Sequence, residues 1–280
     1  MQRTTVTDGS GTVGVAPADR EGRGGARFAV RAKWPDDAGD FALVGGGRDP
    51  VLMVESLRRS AALLCRTELA VPPGHSLVIE RLRYQVRPEF LEAPDGGAGL
   101  RMETVCSGVE RDDGRATALT CGIRVRSGDR TVAAGEGRLG VVALRPLPVA
   151  GPPFASAVPV GSHLVGRTGT ARVVLAPTPL SGCWQLRAGD TALFGPETGH
   201  YPDMALVEVA HQAARALLAP VPFHPVSFTV DVHRRAEFDP PCRIEAHTVP
   251  TPVPGGVAVR VTGVQGGRPV FTAVLTSAGR

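Results

Sequence analysis

Two acidic residues lie inside long apolar runs, and each has a polar partner three residues further on. Glu55 precedes Arg58 and Arg59 in the run Val51–Cys65, and Glu208 precedes His211 and Gln212 in the run from Asp203 to Leu218. Residues three or four apart share one face of a helix, so both spacings bring the acid and its partner together. Burial disfavours the charged form of a carboxylate, and a pKa raised in this way suits a general base near neutral pH. An adjacent Arg or His can hold a phosphate or stabilise the oxyanion of a tetrahedral intermediate. Walls of Leu, Val and Ala would accept an alkyl chain. The chemistry that fits is acyl transfer or hydration on a long, thin substrate. Glu55, Arg58, Glu208 and His211 are therefore the candidate catalytic residues, with Arg59, His200 and Gln212 as candidate substrate-binding residues. The competing explanation is that each pair simply satisfies itself at a helix edge. His75 and His224 read as turn residues.

The elements that must position these groups follow from local signals. Asp49 is a good helix cap and Pro50 fits a first helical position. The next fifteen residues are apolar on nearly every side, the pattern of a buried helix, and Pro72-Pro73-Gly74 closes the segment. Alternating stretches near Ser76–Val86, Leu100–Glu110, Ala116–Val125 and Thr131–Val142 predict half-buried antiparallel strands. The same order then recurs. A helix is expected over Asp203–Leu218, with strands near Val226–Val232, Cys242–His247, Val257–Val264 and Pro269–Leu275, and short ones near Ala171–Leu175 and Cys183–Leu186. Setting Glu55 on Glu208 superposes Val51–Leu64 on Met204–Leu217, so the chain reads as an internal repeat. The fold class expected is α+β, with two tandem curled antiparallel sheets, each wrapped around a central helix. Such units can pair about a pseudo-twofold axis, an intramolecular pseudo-dimer that leaves room for a further homo-oligomer. The expected boundaries are a flexible leader at 1–25, repeat one at 26–145, a Pro-rich linker at 146–165 and repeat two at 166–280.

Bulk properties narrow the function classes. A chain of 280 residues, 42% hydrophobic and 21% charged, is long enough for two ordinary domains. The net charge of +4 comes from arginines scattered among 27 acids, with Lys33 the sole lysine, so nothing marks a nucleic-acid surface. Five cysteines without a CxxC read as reduced thiols, not as a disulfide frame or zinc site. Neither a membrane span nor a signal-peptide core is evident, so the expected location is cytoplasmic. Gly9-Ser10-Gly11-Thr12-Val13-Gly14 matches a dinucleotide fingerprint, but no buried strand precedes it and no helix follows, so it is rejected. No GxSxG, HExxH or P-loop occurs. No cofactor and no metal are expected.

A family resemblance rests on particular stretches. Ala32-Lys33-Trp34-Pro35, Asp49-Pro50-Val51-Leu52-Met53-Val54-Glu55-Ser56-Leu57-Arg58 and Val71-Pro72 with Gly74-His75 resemble the first half of the A-factor biosynthesis (AfsA-like) hotdog family. His200-Tyr201-Pro202-Asp203-Met204 leading to Glu208, and Glu237-Phe238-Asp239-Pro240-Pro241-Cys242, resemble the second half. The resemblance implies a double hotdog. It also implies transfer of a β-ketoacyl group from an acyl-carrier-protein thioester to dihydroxyacetone phosphate, giving a precursor of γ-butyrolactone signals. By position, Glu55, Arg58 and Glu208 match the family's helix residues. The chain departs from the pattern at His211, where an Arg is usual, at Arg59, where a Gln is usual, and at Gly195-Pro196-Glu197. These departures leave two alternatives: a dehydratase or thioesterase of a secondary-metabolite pathway, or a non-catalytic binder of acyl chains or of the carrier protein.

Overall fold

The computed structural model describes residues 4–8, 11–17, 28–33, 48–69, 71–92, 100–143, 157–187 and 200–279. The chain divides into two compact units, with the boundary between Leu144 and Arg145.

The first unit holds strands β1 (Thr4–Asp8), β2 (Gly11–Pro17) and β3 (Phe28–Lys33), helix α1 (Val51–Thr67), β4 (His75–Val86), a short helix α2 (Pro88–Glu92), β5 (Leu100–Asp112), β6 (Arg115–Ser127) and β7 (Arg130–Ala143). Its antiparallel sheet runs β1-β2-β3-β5-β6-β7-β4. The alternation foreseen for β4 is present: Leu82, Tyr84 and Val86 are buried while Arg81, Arg83 and Gln85 are exposed. Helix α1 packs across β4 to β7 through Val54, Leu57, Ala61 and Leu64. Fully burying a Val or Leu side chain contributes roughly 1.5–3 kcal/mol.

The second unit holds β8 (Leu175–Pro177), β9 (Cys183–Leu186), β10 (His200–Tyr201), α3 (Asp203–Leu218), β11 (Pro225–Val232), β12 (Ala236–Glu237), β13 (Arg243–Val249), β14 (Ala258–Gln265) and β15 (Arg268–Ser277). Its main sheet runs β11-β15-β14-β13-β9-β8, and β10 pairs with β12 in a separate ribbon. Helix α3 is buried from Met204 through Arg215 and packs on β13, β14, β15 and β8. On the inner face Gly263 sits opposite Phe271, whose ring lies 2.4 Å from where a Cβ would be built. The ring is fully buried and has little room to withdraw. Gly263→Ala is therefore expected to cost about 1–3 kcal/mol, and a urea melt with an unchanged midpoint would contradict it.

Several expectations need correction. The first 25 residues contribute β1 and β2, an antiparallel hairpin, where composition suggested a flexible leader. Gly11 to Gly14 therefore lie in a strand. The stretch near Ala171–Leu175 begins in a 3-10 turn, Thr170–Arg172, and the strand starts only at Leu175. Part of the Pro-rich linker is ordered too, with a 3-10 turn at Ser162–Val165. Cys106 and Cys121 face each other in register across β5 and β6 and form a disulfide, so the all-thiol expectation fails for this pair. Cys65, Cys183 and Cys242 remain free and buried. Among the described residues no helix is long and apolar enough to cross a membrane.

Candidate active site

Helix α1 begins just after Asp49 and Pro50. The Asp49 carboxylate accepts the Val51 N–H at 3.1 Å, satisfying one of the amides that a helix start leaves open. One turn on, Glu55 is almost wholly buried. Arg58 grips it with both arms of its guanidinium, Nε to Oε2 and Nη2 to Oε1, each at 2.8 Å. Arg59 adds a third bond, Nε to Oε1 at 2.6 Å. The two arginine side chains are 36% and 51% exposed against 11% for the acid, so the cluster opens to solvent on its cationic side. Two guanidinium groups on one carboxylate leave a net positive charge.

Burial pushes the Glu55 pKa up, but the hydrogen bonds and charges of Arg58, and then of Arg59, outweigh it, so the carboxyl lies below its ordinary value. The pKa raised by burial that the apolar run suggests is thus corrected: Arg58 first, and Arg59 with it, hold the carboxyl low. The sign of the pH effect follows from linkage. A carboxyl whose folded pKa is depressed stabilises the fold above its unfolded pKa and loses that contribution as pH falls through the folded value. The stability difference between the native chain and Glu55→Gln should therefore shrink on acidification; a difference that stays constant from neutral pH to about pH 3 would refute this.

The second acid is held otherwise. Gly166, with φ +71°, ends the 3-10 turn at Ser162–Val165 and packs on the stem of Arg215. The next residue, Arg167, is 2% exposed and reaches Glu208 with Nε at 2.7 Å and Nη2 at 2.6 Å. Gln212 donates to the same carboxylate at 2.6 Å and to the Arg172 carbonyl at 2.7 Å, while its Oε1 accepts the Val174 N–H at 2.9 Å. Glu208, Arg167 and Gln212 are all buried.

His211 does not join this group. Its Nδ1 donates to the Val207 carbonyl at 2.8 Å, since a carbonyl can only accept, and its ring lies 4.7 Å from that of Phe228. His200 is half-buried in the β10–β12 ribbon, in register with Glu237, and the adjacent Tyr201 meets Phe238 edge-on at 5.0 Å. Gly195-Pro196-Glu197 lies outside the described residues. Sequence reasoning missed Arg167. Its trace was indirect: a buried Glu208 needs a cation, and helix α3 carries no Arg or Lys three or four residues from it. Among the described residues no group of three or more His, Cys, Asp or Glu could hold a metal ion.

A curled antiparallel sheet packed on one long buried helix, occurring twice, with an acid on each helix, defines the double hotdog class. The sequence pattern of the A-factor biosynthesis hotdog domain matches residues 12–143. A 2-oxo-3-(phosphooxy)propyl 3-oxoalkanoate synthase of Streptomyces virginiae is 32% identical over 271 residues, covering 90% of this chain and 89% of that protein. The synthase of the same name from Streptomyces griseus is 34% identical over 266 residues, covering 89% and 86%. The chain belongs to the AfsA family of A-factor biosynthesis hotdog proteins. Among solved structures, the 12:0-ACP thioesterase of Umbellularia californica superposes with a TM-score of 0.57 at 12% identity, covering 89% of this chain and 93% of that one. That likeness concerns the fold alone.

Proposed function

We propose that this enzyme joins a 3-oxoacyl group to dihydroxyacetone phosphate, making a 2-oxo-3-(phosphooxy)propyl 3-oxoalkanoate for γ-butyrolactone signalling, as the names of its relatives describe. The acyl donor is a carrier-protein thioester, and the setting is the cytoplasm. The acceptor hydroxyl oxygen attacks the thioester carbonyl carbon, and a C–O bond forms. The tetrahedral intermediate collapses with cleavage of the C–S bond, and the hydroxyl proton ends on the departing thiolate. No redox step and no cofactor enter the balance.

The observation that carries this assignment is the Glu55 cluster, a carboxylate kept ionised at neutral pH beneath two half-exposed guanidinium groups. Glu55 receives the hydroxyl proton. In the resting state its basicity is low because Arg58 and Arg59 hold it. An arriving anion, or the oxyanion of the intermediate, competes for those same donors, and the carboxylate becomes more basic as they turn away. Arg58 and Arg59 thus serve as oxyanion and substrate partners. Glu208 is assigned a structural part: its oxygens already accept three bonds from buried donors, and neither Gln212 nor the core residue His211 is open to substrate.

The test is product analysis. Purified chain incubated with a β-ketoacyl carrier protein and dihydroxyacetone phosphate should yield the phosphorylated ester by mass spectrometry. Free acid, a dehydrated acyl group or unchanged thioester would each replace this assignment with a thioesterase, a dehydratase or a non-catalytic binder.

A further inference from the structure

One buried charge lies outside the machinery described so far. Arg48, in the segment that leads into α1, is only 8% exposed, and its Nη1 is buried with no hydrogen-bond partner among the described residues. No ion pair is found for it among them either. Its neighbour Asp49 turns a carboxylate oxygen to the Val51 amide, capping the helix. The backbone here is fixed, because the Arg48 N–H donates to the Leu91 carbonyl at 3.0 Å from α2. Burial lowers the Arg48 pKa. A desolvated cation without a counter-charge is strongly unfavourable, so a buried guanidinium of this kind calls for an anion.

The surroundings favour the same sign. Helix α1 starts three residues later; Asp49 caps its Val51 amide and its first turn carries no acidic side chain, so the positive end of its dipole is only partly compensated. Glu55 lies four residues into the helix, about 6 Å along its axis at the usual rise per residue. A three-carbon acceptor whose hydroxyl meets Glu55 can span a comparable length to its phosphate.

We propose that Arg48 is a phosphate-binding residue: its buried guanidinium takes the phosphate group of the acceptor, next to the start of α1, while Glu55 addresses the hydroxyl. This rests on the reaction assigned above for the identity of the acceptor, but not for the presence of an anion site. The same chemistry could come from the phosphodiester of the carrier protein's phosphopantetheine arm, and the kinetic arms below separate the two sources.

The experiment compares the full-length native chain with Arg48→Met and Arg48→Lys. Inorganic phosphate and dihydroxyacetone phosphate, each titrated during thermal melting, should raise the Tm of the native chain. Arg48→Met should melt no lower than the native chain without phosphate, because an unpaired buried charge has been removed, and should lose the phosphate-dependent rise. In turnover its KM for dihydroxyacetone phosphate should increase about a hundredfold, as loss of a charge-assisted bidentate contact implies, with the KM for the acyl carrier protein unchanged. Arg48→Lys keeps the charge without the fork and should fall between the two; it carries the comparison if the methionine variant does not fold.

A native chain indifferent to phosphate, or an Arg48→Met chain with an undiminished phosphate response, overturns the proposal. A raised KM for the carrier protein alone overturns it in favour of the phosphopantetheine source. If no ester forms while phosphate still stabilises the chain through Arg48, the anion site stands and the assigned reaction falls.

Discussion

Glu55→Gln removes ester formation, lowering kcat by about 10²- to 10⁴-fold, the range typical for loss of a general base. The amide keeps the shape of the side chain but cannot accept the hydroxyl proton. The fold should survive, because the partners left behind, Arg58 and Arg59, are half-exposed and can return to water. Activity and stability are therefore expected to separate. Circular dichroism melts of the variant at neutral pH should still show one cooperative transition, lowered only by the lost ion-pair contribution, while turnover collapses. Retention of activity to within a few-fold would show that the proton goes elsewhere.

The second unit should behave in the opposite way. Arg167→Met strands the Glu208 carboxylate in a buried site where, among the described residues, Gln212 alone still donates to it. Breaking a buried pair by removing one partner costs about 3–5 kcal/mol. Urea unfolding should show the midpoint falling without a change of slope. Adding Glu208→Gln to Arg167→Met removes the stranded charge and should recover part of the loss. A loss below about 1 kcal/mol would mean that water or a rearranged side chain reaches the carboxylate. A Glu208→Gln single variant that lost turnover while remaining fully folded would overturn the structural role assigned to this acid.

The fold was largely legible because its signals are local. Asp49-Pro50 marks one helix start, the apolar run over Asp203–Leu218 marks the second helix, and alternation marks β4 to β7 and β13 to β15. Short or composition-masked elements were not legible. The ribbon of β10 and β12 is two residues wide on each side, too short for any period to show. The hairpin of β1 and β2 is rich in Gly and Thr, a composition shared with unstructured segments. In the site, Glu55 with Arg58 could be read from spacing on one helix. Arg167 could not, because it lies 41 residues before Glu208 and is brought in by the left-handed Gly166. The same limit applied to His211: spacing puts it on the helix face of Glu208, but the Val207 carbonyl and Phe228 occupy it instead. The Cys106–Cys121 pair became visible only once β5 and β6 were placed in register.

The bond from the Val174 amide to Gln212 ties an irregular stretch of backbone to the side of helix α3. Amide protons in such a stretch would otherwise exchange with solvent through small local fluctuations. This one exchanges only when Gln212 lets go, and Gln212 is also bonded to Glu208 and to the Arg172 carbonyl. The helix and the segment before β8 should therefore open together, as one cooperative unit. In deuterium uptake, Val174 would follow the slow core amides of α3 and not its immediate neighbours along the chain.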